Sequence, residues 1–140
     1  ELALDVDLFA GLNYSFAGEY VYTYNLDERT PLSFSPPPSM RNTLIWRKDK
    51  LQFFVELHSI ASQKRVAKNE DPTEGAHLIN FGGNITLPMG KTMIEIGFSL
   101  QNLLDTKYYN HLSFYRKVEI PEPGRNFQLL IKIPFKHKLK

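Results

Sequence analysis

Large apolar side chains recur at every second position along most of this chain, and nowhere do they recur with a period near 3.6. Successive side chains of an extended strand point to opposite faces, so this is a strand pattern with one apolar and one polar face. In residues 5–16, Val6, Leu8, Ala10, Leu12, Tyr14 and Phe16 alternate with Asp5, Asp7, Phe9, Gly11, Asn13 and Ser15. Residues 77–87 set Ile79, Phe81, Ile85 and Leu87 against Asn80, Gly82, Asn84 and Thr86, and residues 92–101 set Ile94, Ile96, Phe98 and Leu100 against Glu95, Gly97, Ser99 and Gln101. Residues 51–61 follow the same rule, with Phe54 and Ile60 as exceptions, and 40–47 follow it weakly through Leu44 and Trp46. A last strand, 126–135, carries Phe127, Leu129, Ile131, Ile133 and Phe135 on its apolar side. Pro36–Pro38 exclude a helix where they stand. The pattern predicts an all-β, antiparallel, up-and-down chain of about six strands.

The connections restrict the architecture further. Lys48-Asp49-Lys50 and Pro88-Met89-Gly90 are short turns, whereas residues 24–39, 62–76 and 103–125 are long links, so short and long alternate strictly. Transmembrane β-barrels have that alternation, with short periplasmic turns and long extracellular loops. Aromatic residues fall at the two ends of the strands: Tyr20, Tyr22, Tyr24, Tyr108, Tyr109, Phe114 and Tyr115 on the long-loop side, Trp46, Phe53, Phe54 and Phe135 on the short-turn side. Rings in two belts suit two membrane–water boundaries. The bare stripe from Phe127 to Phe135 then faces lipid, while Gln128 and Lys132 face a watery lumen. Backbone in hydrocarbon must pair internally, which requires a closed barrel. Six strands of this chain are too few to enclose a large polar lumen by themselves.

Composition removes other classes. A net charge of +2 gives no reason to expect a nucleic-acid partner, and the absence of Cys excludes disulfide scaffolds and Cys-based zinc sites. No run of about 18 apolar residues could form a transmembrane helix. The acidic opening ELALDVDLF is unlike a signal peptide, so a targeting segment is expected upstream or already removed.

The stretch GFSLQNLLDTKYYNHLSFYRKVEIPEPGRNFQLLIKIPF resembles the closing segment of TonB-dependent outer-membrane receptors. In that family a strand ending in Asn-Leu-(Leu/Phe)-Asp-x-x-Tyr leads to the last extracellular loop, then to a Pro-Gly-Arg turn and a final strand ending in an aromatic residue. The matching positions are Asn102, Leu103, Leu104, Asp105, Lys107 and Tyr108, then Pro123, Gly124, Arg125 and Phe127, and finally Phe135. PLSFSPPPSMRNTLIWR and RVAKNEDPTEGAHLINFGGN resemble earlier strands and loops of the same barrel. The resemblance implies that residues 1–140 are the C-terminal part of a plugged barrel of about 22 strands in the cell outer membrane. It implies energised import of a scarce ligand: siderophore-bound iron, cobalamin, another metal chelate or an oligosaccharide. The implied partners are outer-membrane lipid, the rest of the barrel and its plug, the TonB energy-transducing complex acting through that plug, and a small-molecule or glycan ligand. The plug and its TonB-contact box are absent from this chain, and KHKLK follows Phe135 where the family usually ends.

Candidate ligand contacts at the extracellular mouth are Tyr109, His111, Arg116 and Arg125. Arg125 is expected either in a rim salt bridge or on a ligand, with Gly124 before it in a positive-φ conformation. An enzyme is not expected: His111, Ser113 and Asp105 are the residue types of a hydrolase triad, but nothing in their spacing fixes the geometry such a triad needs. No cofactor or metal is expected, because His58, His77, His111 and His137 lack ligand spacing. The alternative architecture is a self-contained, soluble lipocalin-like binding barrel with its apolar faces inward, for which eight strands would be expected.

Overall fold

A computed structural model describes residues 1–90 and 92–134; Phe135 and the basic tail after it lie outside the described residues. Seven strands form one antiparallel sheet in sequence order: β1 (Leu2–Phe9), β2 (Leu12–Glu19), β3 (Ser39–Lys48), β4 (Leu51–Ile60), β5 (Ala76–Met89), β6 (Thr92–Gln101) and β7 (Asn126–Lys132). The chain is thus all-β and up-and-down, as the alternation predicts.

One strand more is present than the sequence suggests. The expected strand 5–16 is a hairpin, folded at Ala10 (φ 45°) and Gly11 (φ 79°). Two consecutive positive φ values are the signature of a two-residue turn whose twist matches that of its strands. The turn itself pairs opposite parities, Phe9 with Leu12, but a bulge between Asp7 and Phe9 shifts the register by one, so that beyond it even-numbered residues face even-numbered ones, as in Leu4 with Phe16 and Val6 with Tyr14. The apolar parity therefore reads straight through the turn and hides it. Gly11 is required there twice over, since a Cβ would also collide with the Arg47 carbonyl. Gly11 O accepts from Arg47 N–H at 2.8 Å, which fastens the turn to β3.

With the hairpin restored, the alternation of connections lengthens to six. The links after Phe9, Lys48 and Met89 are short; 20–38, 61–75 and 102–125 are long. Pro88 and Met89 belong to β5 rather than to a turn. All three long loops lie at one end of the sheet.

Register separates two faces. One carries rows such as Leu12, Trp46, Phe53, Gly83, Phe98 and Leu129, and above it Val6, Tyr14, Leu44, Val55, Phe81, Leu100 and Phe127. Aromatic rings mesh along it: Trp46 stacks on Phe53 at 6.1 Å, Phe53 reaches Phe98 across Gly83 at 6.4 Å, and Phe98 meets Phe81 edge-on at 5.5 Å. Gly83 lies beneath the Phe53 ring, and any Cβ there would overlap it. Phe54, read from sequence as part of the short-turn aromatic belt, points to the opposite face and covers Gly82 instead, where a Cβ would come within 2.6 Å of its ring.

The apolar face stays open. Leu129 is 62% exposed and Ile131 56%, and the buried apolar residues among those described are only Ala76 and Leu78. A soluble sheet buries one face on a core; this one presents its apolar face outward.

Candidate functional site

The opposite face carries, beside Ile45, Phe54, Leu78 and Leu130, a set of polar pairs that alternation alone places together. Asn13 Nδ2 donates to Asp7 at 3.0 Å, Arg47 Nε to Gln52 at 3.0 Å, and Asn80 Nδ2 to Glu56 at 2.8 Å. Arg41 lies 3.8 Å from Glu56, and Lys132 3.8 Å from Glu95. Each is a direct or diagonal cross-strand pair, close enough for these groups to satisfy one another.

Near the long-loop end this polar face deepens into a cleft of about 430 Å³, walled by Arg41, Glu56, His58 and Asn80 from the strands and by Tyr108 and Glu122 from the third long loop. Burial, with the Glu122 carboxylate nearby, pushes the Tyr108 hydroxyl above its ordinary pKa, so it stays a neutral donor at physiological pH. Two carboxylates, one guanidinium, amides and a phenol make a wall rich in hydrogen-bonding groups. Such a wall can orient a polar guest by several short contacts.

The loop motif explains how that wall is held. Asn102, buried at the end of β6 with φ 50°, takes the Thr106 N–H on Oδ1 at 2.9 Å and gives Nδ2 to the Thr106 carbonyl at 2.9 Å and the Pro123 carbonyl at 3.3 Å. Its own N–H donates to Asn80 Oδ1 at 2.9 Å. Asp105 accepts the Arg125 N–H at 2.8 Å. Asn102 and Asp105 thus tie the outgoing limb of the loop to the returning one. Gly124 is needed for close approach, since a Cβ would lie 2.5 Å from Asp105 Oδ1. The expected positive φ is found at Gly11 and Gly90, not at Gly124.

Above the cleft the three long loops are knotted around Glu70. Its carboxylate accepts the Phe34 N–H at 2.9 Å, the Ala67 N–H at 3.1 Å and Arg116 Nη2 at 2.6 Å. Arg116 also donates to the His111 carbonyl at 2.8 Å and the Asp71 carbonyl at 2.9 Å, and its guanidinium lies 5.4 Å from the Phe34 ring. His111 Nδ1 meets Thr73 Oγ1 at 3.0 Å, and its Nε2 lies 3.4 Å from Glu70. Nδ1 thus has a hydrogen-bond partner, whereas Nε2, buried beside Glu70, makes no hydrogen bond. Burial and then the Arg116 charge hold His111 below its ordinary pKa, against the pull of Glu70. Burial pushes Glu70 upward, but the two backbone donors, His111 and Arg116 outweigh it, leaving its carboxyl below the ordinary range. A second tie joins the first loop to the second. Gln63 Nε2 donates to the Ser35 carbonyl at 3.0 Å, and Arg65 donates to the Thr23 carbonyl at 2.8 Å while lying 3.6 Å from the centre of the Tyr22 ring.

The four mouth residues singled out in the sequence therefore part company. His111 and Arg116 lie together inside the knot, with side chains 1% and 4% exposed and engaged by protein partners. Tyr109 is half-buried with Lys107 Nζ 5.8 Å from its ring, and Arg125 is exposed, held through its backbone. Asp105, His111 and Ser113 serve three separate purposes; Ser113 Oγ accepts from the Tyr115 N–H and caps a short 3-10 turn, Phe114–Val118. Among the described residues no three His, Cys, Asp or Glu side chains stand together as a metal site. Glu70, the centre of the knot, carries no sequence signal: a lone glutamate in a long polar loop reads as a solvated residue.

No protein-family model matches the chain, and no curated protein does. Among solved structures the fold is similar to that of the copper transporter OprC, with a TM-score of 0.79 at 20% sequence identity. The match covers 89% of this chain and 21% of that one, so the chain spans about a fifth of that protein's length. At this identity the likeness is one of fold.

Proposed function

We propose that the chain is the C-terminal portion of the β-barrel of a TonB-dependent outer-membrane receptor. The receptor binds a scarce ligand (siderophore-bound iron, cobalamin, another metal chelate or an oligosaccharide) and imports it with energy delivered through a plug domain outside this chain. The observation that carries the reading is the pairing of a continuous apolar face with a polar one on a sheet whose six connections alternate strictly between short and long. The polar face is the lumen wall, the three loops are extracellular, and the cleft under the third loop belongs to the mouth through which ligand passes. The similarity in fold to a transporter supports the same reading. A lipocalin-like barrel would turn the apolar face inward and close its first strand on its last. Here that face is open, and among the described residues β1 and β7 pair only with β2 and β6.

Topology in the intact cell tests the proposal. An epitope inserted beside Phe114 in the full-length protein should be labelled on whole cells, and one at Asp49 only after the outer membrane is permeabilised. Labelling of Asp49 on whole cells would overturn it.

A further inference from the structure

At the loop end of the apolar face the outward rows change character. Below lie Asn42, Leu57 and Ile79; the next row is Met40, Ser59 and His77, and one step further come Pro38, Ala61 and Gly75. The backbone ladder continues through this last row, Ala61 N–H donating to Pro38 O at 2.9 Å. These six outward residues line a cavity of about 510 Å³. Its floor is small side chains and backbone: Ser59 is buried, and a Cβ on Gly75 would come within 2.6 Å of the Ile60 carbonyl. Met40 and Pro38 form an apolar wall. Polar groups stand at the other side, where His77 Nδ1 meets Ser59 Oγ at 3.0 Å and Glu74 adds a carboxylate.

We infer that this slot holds a single outer-leaflet lipid, with an acyl chain against Met40 and Pro38 and a hydroxyl-rich, saccharide headgroup at His77, Ser59 and Glu74. The inference rests on the lipid-facing reading of the apolar face. The slot begins where, above Asn42, Leu57 and Ile79, that face gives way to Ser59 and His77, so its guest in a membrane is the junction of chain and headgroup. Glu74 sets the headgroup class. A carboxylate accepts from hydroxyls and repels a phosphate, and the imidazole and serine hydroxyl extend the same acceptor-rich edge.

The test uses the purified full-length protein in detergent, with a synthetic glucosyl-diacylglycerol and phosphatidic acid as probes, and native mass spectrometry as readout. The glycolipid should be retained more strongly than phosphatidic acid. His77→Phe, which keeps the bulk and removes the polar edge, should weaken glycolipid retention about fivefold, the loss of one net hydrogen bond. Ala61→Trp should fill the slot and abolish retention; if that variant does not fold, the His77→Phe comparison stands alone. Equal retention of the two lipids overturns the headgroup assignment, and retention unchanged in the variants overturns the site. A photoreactive residue in place of Leu129 separates this from the underlying reading. Lipid cross-linking at that position with no selective slot defeats only the present inference, whereas no cross-linking there defeats the lipid-facing face itself.

Discussion

The sheet and the loop crown of this protein bury opposite things. Along the strands, leucines, isoleucines and phenylalanines stand open while the backbone is satisfied by the ladder. In the crown, the buried side chains are polar: Ser35, Gln63, Asn102 and His111. A water-soluble domain does the reverse, hiding apolar side chains and solvating polar ones. The contrast shows where each region's surroundings come from. The crown supplies its own partners, chiefly through Glu70, and so holds its shape in water. The described strands bury little apolar surface of their own and, on the proposed reading, depend on hydrocarbon outside and polar contents inside.

This contrast can be broken from either side. The largest expected effect is in the crown. Glu70→Ala would leave the Arg116 guanidinium buried without its counter-ion, a loss of about 3–5 kcal/mol in comparable buried pairs. Amide exchange should rise across residues 61–75 and 102–125 while β3 to β6 stay protected. Matching loss of protection in the strands would show that crown and sheet are one cooperative unit.

On the sheet, Ile131→Arg places a charge on the lipid face and should cost about 2–4 kcal/mol in barrel stability if it lies near the midplane. Lys132→Gln, one residue along on the lumen face, should be tolerated. Equal tolerance of both in an outer-membrane folding assay would reject the assignment of faces. A comparable or smaller effect is expected at Gly83→Ala, where the methyl group must displace the Phe53 ring and also press on the Gln52 backbone carbonyl, at about 1–3 kcal/mol, read as a lower unfolding midpoint in detergent.

Acid provides the gentlest probe. Both His111 and Glu70 have folded-state pKa values below their ordinary ones. The opened crown therefore binds more protons than the closed one, and closure is fully favoured only above the ordinary histidine value of about 6.5. As pH falls from there, first His111 and then, below about 4.3, Glu70 should weaken the knot. Limited proteolysis of the loops should accelerate between about pH 7.5 and pH 5. A rate that falls over that interval, after correction for the protease's own pH profile, would contradict the sign.

What the sequence shows and hides follows from the same division. Period two is a property of the strand itself, so β3 to β7 are visible in the residues, and the side-chain parity of Phe127 to Ile131 needs no partner to be read. The first hairpin stays hidden because the bulge beside its two-residue turn restores parity, and because the turn offers Ala-Gly where a stronger signal would be Asn-Gly. Asn102 and Asp105 stand out through the loop motif, although their work is to close the loop's two limbs. The Glu70 knot is invisible because it joins Phe34, Glu70 and Arg116, residues far apart in the chain that meet only once the strands have set the loops side by side.

The central claim, that the apolar face meets lipid, has one direct measurement. Single spin labels placed in turn at residues 127 to 132 of the full-length protein in lipid bilayers would report collision with oxygen, which partitions into hydrocarbon, and with a water-soluble nickel chelate. The account predicts a period of two, with oxygen dominating at positions 127, 129 and 131 and the chelate at 128, 130 and 132. A flat profile, or the opposite phase, would contradict it.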